Sequence, residues 1–329
     1  MTDLLNIILV GGGKISCGKN RFSRREPMSH MEGIMLSPNV VPHAIVEPDE
    51  TRRASITSDW REASVHRHIR DVPPAPLEVI VICSPTVNHY NCILDAIERE
   101  PIAIIVEKPL CLETEHARNI LGLSQSSNVP IYVNFNRRFD TRFNELSTFI
   151  PQEPIAIHVD YSNGINNYGS HFIDLILKWY GKCLSVRQIG NFNSRESDPN
   201  PSFFMEFEAG FSAYFHGFDD VDYDLLDMKI WHRSGLIKLS AGGAHISVEA
   251  PTSGLFYENY DHLDTVWQSS GHVSGFRELY DQLGSADNYH SLHKACELEM
   301  GVLNVRVINA VLESKKLGGH SVCFDEPNG

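Results

Sequence analysis

The sequence has no long apolar run and no cysteine pattern typical of a disulfide-rich or zinc-binding protein. No stretch approaches the roughly 20 consecutive apolar residues that a membrane-spanning helix needs. The seven cysteines include no C-x-x-C pair, which leaves free thiols as the simplest interpretation. The first residues lack the basic flank and cleavage pattern of a signal peptide. These absences predict a cytoplasmic protein that does not contact membranes.

Positive charge is also scarce. The chain has 28 Lys and Arg residues against 42 Asp and Glu residues, a net charge of −14 with histidine neutral. Such a surface argues against general binding to nucleic acid or to an anionic membrane. A length of 329 residues is sufficient for two domains. We therefore expect the partners to be small molecules or further copies of the same chain.

Apolar runs alternate with helical patterns in the first 136 residues. This alternation is typical of a doubly wound parallel sheet, because strands covered by helices on both faces are apolar throughout. We therefore predict a Rossmann-type dinucleotide-binding domain at residues 1–136 and a second domain at residues 137–329. The apolar runs are 5–10, 41–46, 77–83, 102–106 and 131–135.

A glycine-rich turn follows the first apolar run at once. It reads Gly11-x-Gly13-Lys14-Ile15, with Ser16 in the third small position. The first glycine allows a tight turn, the second lets the backbone approach a pyrophosphate, and the helix beyond offers N–H groups to anionic oxygens. The turn therefore predicts a dinucleotide cofactor.

Glu47 ends the second apolar run and bears on the choice of cofactor. A carboxylate at this strand tip accepts a hydrogen bond from a ribose 2′-hydroxyl and repels a 2′-phosphate. NAD is therefore favoured over NADP. NADP is not excluded, since Arg52 and Arg53 at the start of the next helix could accommodate the extra phosphate.

A basic segment interrupts the pattern between Cys17 and Ser29. It contains Lys19, Arg21, Arg24 and Arg25. Charged runs usually face water, so a solvated loop is one interpretation. The other is a basic flap over a phosphate group of cofactor or substrate.

Two further strand ends carry polar residues that could reach a ligand. Ser84-Pro85 follows the third run, with His89 soon after, and Glu107-Lys108-Pro109 closes the fourth. Open α/β sheets bind their ligands outside the carboxyl ends of the strands. An ammonium at Lys108 can therefore hold a reacting oxygen and stabilise negative charge that develops on it.

The second half predicts an antiparallel sheet and long helices. Residues 202–208 with 211–218, and 225–232 with 236–240, read as two hairpins with glycine at the turns. A helix is predicted to end at Gly181, and a longer one to span residues 285–316 with glycines after its end.

His171 stands out in the first of these helices. Phe172, Leu175, Ile176 and Trp179 form its apolar stripe, and His171 lies off that stripe in the first turn. There the helix dipole disfavours an imidazolium. A neutral ring can accept a proton, so His171 is a candidate general base. Asp174 is expected to orient or cap instead.

Five motifs in order carry a resemblance to a known family. They are Gly11-x-Gly13, Ser84-Pro85-Thr86 with His89, Glu107-Lys108-Pro109, residues 134–139 (Asn-Phe-Asn-Arg-Arg-Phe) and Gly169-x-His171-x-x-Asp174. Together they resemble the Gfo/Idh/MocA family of oxidoreductases. The resemblance implies an N-terminal Rossmann domain and a C-terminal α+β domain with an open, mostly antiparallel sheet. It also implies NAD(P)-dependent chemistry at a secondary alcohol or ketone of a sugar, cyclitol or nucleotide sugar, in a homodimer or homotetramer.

The resemblance also assigns roles to residues. Lys108, His171 and Asn167 are the predicted catalytic residues. The predicted substrate contacts are Arg138, Tyr161, Asn163, Tyr168 and His171. The predicted cofactor contacts are Gly11, Gly13, Lys14, Ile15, Glu47, Ser84, Pro85, His89, Glu107 and Lys108.

Asn167 departs from the family pattern, in which many sugar-oxidising members have Asp four residues before the histidine. An amide cannot relay a proton near neutral pH, so the proton route is open. One alternative function is a catalytically silent NAD(P)-binding sensor or assembly protein. Another is a reductase of a non-sugar substrate, although the asparagines at positions 163, 166 and 167 favour a carbohydrate. No metal site is predicted, since His66-x-His68 and the acidic stretch 219–224 read as solvated segments.

Overall fold

The computed structural model describes residues 4–19, 26–191, 197–254, 261–287 and 289–324. The chain forms two compact units, the first comprising Met1–Thr141 with Ser274–Val305 and the second Arg142–Val273 with Arg306–Gly329. The first break lies close to the predicted boundary at residue 136. The second predicted domain was continuous, however, whereas residues 274–305 lie in the first unit because a helix and an edge strand within them pack and pair there.

The elements are numbered in chain order. The strands are β1 Leu5–Val10, β2 Val40–Val46, β3 Ser64–His66, β4 Glu78–Ile82, β5 Ala103–Glu107, β6 Ile131–Asn134, β7 Ala156–Tyr161, β8 Cys183–Ile189, β9 Ser202–Phe207, β10 Ser212–Gly217, β11 Leu226–His232, β12 Gly235–Ser240, β13 His245–Thr252, β14 His262–Ser270, β15 Cys296–Glu297 and β16 Val322–Cys323. The α-helices are α1 Lys14–Cys17, α2 His30–Leu36, α3 Glu50–Asp59, α4 His89–Ile97, α5 Thr114–Ser127, α6 Thr141–Leu146, α7 Ser170–Tyr180, α8 Phe276–Ser285 and α9 Leu298–Lys316.

The first unit contains a sheet in the order β15-β6-β5-β4-β1-β2-β3. Its strands are parallel except β15, which pairs antiparallel with β6. β4 and β5 are buried at every position, as expected for parallel strands covered on both faces. The predicted Rossmann fold is confirmed. The carboxyl ends of β1, β4 and β5 lie at one edge, which places the residues after them together.

The second unit contains a nine-stranded sheet in the order β14-β13-β12-β11-β7-β10-β9-β8-β16. Among the described strands of this sheet, only β7 and β10 pair in parallel. The predicted mostly antiparallel sheet and both predicted hairpins are therefore confirmed. In β7 the residues Ile157, Val159 and Tyr161 are buried while those between them are partly exposed, the alternation of a strand with one buried face.

The helix predicted over residues 285–316 is shorter than expected. α8 ends at Ser285 because Ala286 has extended backbone angles. Cys296 and Glu297 then pair with Val133 and Tyr132 as β15, so α9 begins only at Leu298. Within the described ranges, no helix is both long and apolar enough to cross a membrane.

Candidate functional site

A cleft of about 890 Å³ lies in the first unit at the carboxyl edge of its sheet. Four predicted cofactor contacts line it, namely Gly11, Glu47, Ser84 and Pro85. They come from the ends of β1, β2 and β4, which are neighbours in the sheet. The lining therefore brings together residues that are far apart in the chain, at the place where such sheets bind dinucleotides. Other lining residues are Arg52, Arg67, His68, Arg70, Asn88 and Asn91.

Gly11 and Gly13 serve different purposes. Gly11 has φ +104°, and a Cβ there would lie 2.7 Å from the backbone nitrogen of Ser84 and 2.8 Å from the carbonyl of Cys83. The fold itself therefore requires glycine at this position. At Gly13, by contrast, a Cβ would meet nothing within 4 Å. This open space next to the turn is what the approach of a pyrophosphate needs, so the turn fits an NAD molecule.

The Glu47 carboxylate is buried and folds back onto the glycine turn. Its Oε2 accepts hydrogen bonds from the Gly12 N–H at 2.9 Å and from Arg52 Nη1 at 3.2 Å, and its Oε1 accepts from the Asp49 N–H. Arg53 donates to the backbone carbonyls of Glu47 and Pro48. Of the two arginines considered for a 2′-phosphate, only Arg52 also lines the cleft. Its guanidinium forms an ion pair with the Glu47 carboxylate.

This pairing gives a prediction about cofactor choice. In Glu47→Ala the Arg52 guanidinium loses its carboxylate partner, and the repulsion of a 2′-phosphate disappears. We expect the ratio of NADP to NAD affinity to rise by about tenfold or more, which corresponds to 1.4 kcal/mol. Fluorescence titration of both cofactors measures this ratio. Glu50→Ala, which removes an exposed acid of α3, is the control; equal ratios in the two variants would contradict a selective role for Glu47.

The remaining residues near the turn stay predictions. Lys14 and Ile15 are exposed at the start of α1. Lys19 of the basic segment forms an ion pair with Asp59 at 3.0 Å and lies over the Trp60 ring. Arg21, Arg24 and Arg25 lie outside the described residues, so the basic-flap hypothesis is open.

His89, a predicted cofactor contact, is buried between two backbone carbonyls, and its role toward the cofactor stays a prediction. The residue is only 1% exposed. Its Nε2 lies 2.9 Å from the Ser84 carbonyl and its Nδ1 lies 3.0 Å from the Pro109 carbonyl. Burial lowers the pKa of the imidazole despite these carbonyl contacts. His89 thus ties together the segments that follow β4 and β5, and it positions both.

A buried polar network surrounds Glu107, the residue before Lys108, and no sequence motif predicts it. Glu107 Oε1 is 2.6 Å from Asn134 Nδ2 and 2.9 Å from His30 Nε2. His30 Nδ1 is in turn 2.7 Å from the Tyr280 hydroxyl. The four side chains come from β5, β6, α2 and α8, so four elements of the first unit fix the Glu107 carboxylate. Lys108, half-buried, is the next residue along the chain.

The electrostatics of this network favour an ionised Glu107. Burial alone would raise the pKa of its carboxyl group, but His30, Asn134 and Lys108 together hold the pKa below its ordinary value. An ionised carboxylate can only accept hydrogen bonds, so His30 donates through Nε2. When the ring is neutral, its Nδ1 can accept the proton of the Tyr280 hydroxyl, whose own pKa is raised by burial.

In the second unit, His171 is half-buried near the start of α7. The helical backbone begins earlier than predicted, since residues Ile165–Gly169 form a π-helical turn that runs into α7. His171 therefore does not lie at a free helix end, and the dipole argument for a neutral ring is weaker than the sequence suggested. Asp174 is buried, in keeping with a structural role.

Asp198 supplies a carboxylate that sequence reasoning missed. Its oxygens accept hydrogen bonds from the backbone N–H groups of Asn166 and Asn167, each at 2.9 Å, and from Asn166 Nδ2. A Cβ at Gly164 would collide with the Asp198 side chain. The segment with Asn167 in place of Asp is thus anchored by an acid from a loop about 30 residues away in sequence.

Two predicted substrate contacts, Tyr161 and Arg138, are buried, and their roles toward a substrate stay predictions. Tyr161 is 0% exposed, and its hydroxyl donates to the Pro201 carbonyl at 2.6 Å. Burial raises the pKa of the Tyr161 hydroxyl well above its ordinary value. Arg138, in the first unit, is 5% exposed and donates to the Ala295 carbonyl. Both side chains hold the fold.

The other predicted contacts in the second unit are not tested. Asn163 is exposed, has φ +58° and donates through Nδ2 to Asp224. Asn167 is exposed and Tyr168 is half-buried. Their roles toward a substrate stay predictions.

Comparisons with known proteins agree with this description. The chain is 31% identical over 117 residues to inositol 2-dehydrogenase of Rhizobium meliloti, a match covering 31% of this chain and 34% of that protein. The chain thus spans about a third of that relative. Among solved structures, UDP-N-acetylglucosamine 3-dehydrogenase of Acidithiobacillus ferrooxidans matches with a TM-score of 0.77 and 14% identity, covering 94% and 97% of the two chains. An Agrobacterium radiobacter oxidoreductase, solved with NAD+, L-tartaric acid and magnesium, matches with a TM-score of 0.73 and 14% identity, covering 97% and 98%.

The structural matches show the fold alone at these identities. The family comparison is more specific, because residues 5–135 match the oxidoreductase family with an NAD-binding Rossmann fold known as Gfo/Idh/MocA. That range contains the glycine turn, Glu47, the cleft lining and Glu107-Lys108-Pro109. Residues 5–135 of this chain are therefore similar to the NAD-binding Rossmann domain of that oxidoreductase family.

Proposed function

We propose that this protein is an NAD-dependent dehydrogenase that oxidises a secondary alcohol of a carbohydrate, either a cyclitol or a nucleotide sugar. The observation that carries the proposal is Lys108, placed directly after β5 at the same sheet edge as the glycine turn and backed by the buried Glu107 network. The substrate class is supported by two relatives, one named for inositol and one for UDP-N-acetylglucosamine.

The residues of the chain take distinct parts in this proposal. The nicotinamide, when bound, accepts the hydride. Gly11, Gly13 and Glu47 bind and orient the cofactor. The Lys108 ammonium holds the substrate oxygen and stabilises negative charge as the hydroxyl proton leaves. His171 accepts that proton, and Asn167 hydrogen-bonds a substrate hydroxyl instead of relaying the proton.

The experiment is a substrate search at 340 nm. Purified protein is mixed with NAD+ and, one at a time, with inositols, free sugars, uridine-diphosphate sugars and secondary alcohols that are not carbohydrates, and the products of any reaction are identified. The proposal expects reduced nicotinamide with at least one of these secondary alcohols and a ketone as the organic product. Reduction only by an alcohol that is not a carbohydrate would contradict the proposed substrate class.

A catalytically silent sensor is the second candidate, and Asn167 is the feature that favours it. Such a protein needs NAD binding but no proton acceptor and no ammonium at the reacting oxygen. Tight NAD binding together with no reduction by any alcohol would favour the sensor. The presence of both Lys108 and His171 favours the enzyme, since a sensor requires neither.

The network around Glu107 gives a further prediction. Tyr280→Phe removes one hydroxyl and leaves His30 Nδ1 buried without that partner, at a cost of about 1–2 kcal/mol in unfolding free energy. Because His30 fixes Glu107 and Glu107 precedes Lys108, we expect kcat to fall about tenfold while the affinity for NAD is unchanged. Tyr132→Phe is the matched control, because its hydroxyl bonds the Tyr289 carbonyl in the same unit. An equal kcat in both variants would show that Tyr280 acts on stability alone.

A further inference from the structure

We propose that His158, Asp160 and His216 form a binding site for a divalent transition metal ion of the Zn²⁺ class on one face of the second unit's sheet. Two imidazoles and one carboxylate are a usual three-residue ligand set for Zn²⁺ in proteins, with water as the fourth ligand. This site is independent of the proposed function, because its three residues have no part in it.

The strand register brings the three side chains together. His158 and Asp160 are two residues apart on β7 and so project from the same face of the sheet. His216 lies directly beside Asp160 in the parallel pairing of β10 with β7. β7 also pairs with β11, and β10 with β9, so both strands are held on each side and the ligand backbone is fixed.

The distances between the ligand atoms suit one ion. Asp160 Oδ1 is 3.3 Å from His158 Nε2 and 3.5 Å from His216 Nδ1. Ligand atoms at about 2.1 Å from a tetrahedral Zn²⁺ are about 3.4 Å apart. A ligand atom from each of the three residues lies within 4.8 Å of the others.

The environment of His158 Nε2 supports coordination independently of these distances. Its Nε2 is shielded from solvent and has no hydrogen-bond partner among the described residues, although the Asp160 carboxylate is close. Leaving a buried ring nitrogen unsatisfied costs free energy, and coordination to a metal would use its lone pair. Neighbouring aromatic rings restrict both imidazoles. The ring centroids of His158 and Tyr214 are 5.1 Å apart, and those of His216 and Phe218 are 4.2 Å apart.

The surroundings allow a cation to enter. The three ligand side chains are between 28% and 41% exposed, which leaves one side open to water. In the ladder with β11, Asp227 lies beside Asp160 and Lys229 lies beside His158. The charges of Asp227 and Lys229 offset each other. The carboxylate of Asp160 therefore sets the net charge around the ion.

The test is a titration of the full-length protein with Co²⁺, whose visible absorption reports tetrahedral coordination, followed by displacement with Zn²⁺. We expect one ion per chain, absorption typical of nitrogen and oxygen ligands, and no thiolate charge-transfer band. Asp160→Asn and His216→Ala should each weaken Co²⁺ binding by about 100-fold or more. Loss of a residue that only hydrogen-bonds a metal ligand already costs about 10- to 100-fold in affinity, and loss of a ligand should cost at least as much.

His262→Ala is the matched control. His262 and Asp264 form a pair with the same spacing on β14, with Nε2 and Oδ2 3.2 Å apart, but no third ligand is grouped with them among the described residues. This variant should bind Co²⁺ as the wild type does. Failure of the wild type to bind, or equal binding by the wild type and Asp160→Asn, would overturn the proposal. Thermal unfolding of each variant, whose substituted side chains are partly exposed, shows that the fold is kept.

Discussion

Lys108→Ala is expected to lose about 100- to 1,000-fold in kcat, the usual effect of removing one group that stabilises developing negative charge. The protein should still bind NAD, because Gly11, Glu47, Ser84 and Pro85 line the cleft and are unchanged in this variant. The loss should therefore appear in kcat at saturating cofactor and not in the dissociation constant for NAD. Stopped-flow absorbance at 340 nm measures the first quantity, and quenching of protein fluorescence measures the second.

A control variant shows whether the effect is specific to Lys108 or follows from the loss of any lysine. Lys182→Ala removes a lysine that pairs with Glu208 in the second unit, with both side chains substantially exposed, and its kcat should equal that of the wild type. Lys108→Arg keeps the charge but changes the position of the donor groups, so it should recover only part of the activity. Full activity in Lys108→Ala would remove the ammonium from the mechanism.

Gly11→Ala is expected to destabilise the first unit by about 3–5 kcal/mol. Two costs add, namely a left-handed backbone at φ +104° for a residue with a side chain and a Cβ placed within 2.8 Å of the backbone of Cys83 and Ser84. Because the neighbouring atoms are backbone atoms of the two residues that directly follow β4, they cannot move aside as a flexible side chain would. Denaturant unfolding measures the change, which is a large part of the stability of a typical domain.

Gly13→Ala is the matched variant to Gly11→Ala, and we expect it to leave stability almost unchanged but to weaken NAD binding. Its φ of −73° suits any residue, and the space for a Cβ is open, so unfolding should change by less than about 0.5 kcal/mol. The added methyl group enters the space that a pyrophosphate needs, and NAD affinity should fall about tenfold or more. If Gly13→Ala binds NAD normally, the pyrophosphate does not approach this part of the turn.

The sequence predicts the first unit well where local pattern decides structure. Apolar runs gave β1, β2, β4, β5 and β6, and the glycine turn and Glu107-Lys108-Pro109 fell at strand ends as expected. Local sequence patterns do not predict which distant segments pack against each other. That His89 lies between two carbonyls, and that Tyr161 is buried against Pro201, depends on which segments meet in space.

Residues recruited from distant segments were missed for the same reason. His30 and Tyr280 are 250 residues apart, and nothing local shows that Tyr280 bonds His30 while His30 bonds Glu107. Asp198 stands in a loop that no motif marks, yet it anchors the segment containing Asn167. His158-x-Asp160 becomes a candidate metal site only when the register of β10 places His216 beside it, which explains why the sequence predicted no metal. The predicted homo-oligomer stays a prediction.

The central claim is hydride transfer from a carbohydrate carbon to NAD. The most direct test supplies myo-inositol and uridine-diphosphate N-acetylglucosamine with deuterium at their ring carbons, together with NAD+, and examines the nicotinamide product by mass spectrometry. The account predicts reduced nicotinamide with one deuterium per molecule, formed from at least one of these substrates or from another deuterated sugar of the same classes. Reduced nicotinamide without deuterium, or NAD that binds and is never reduced by any of them, would contradict it.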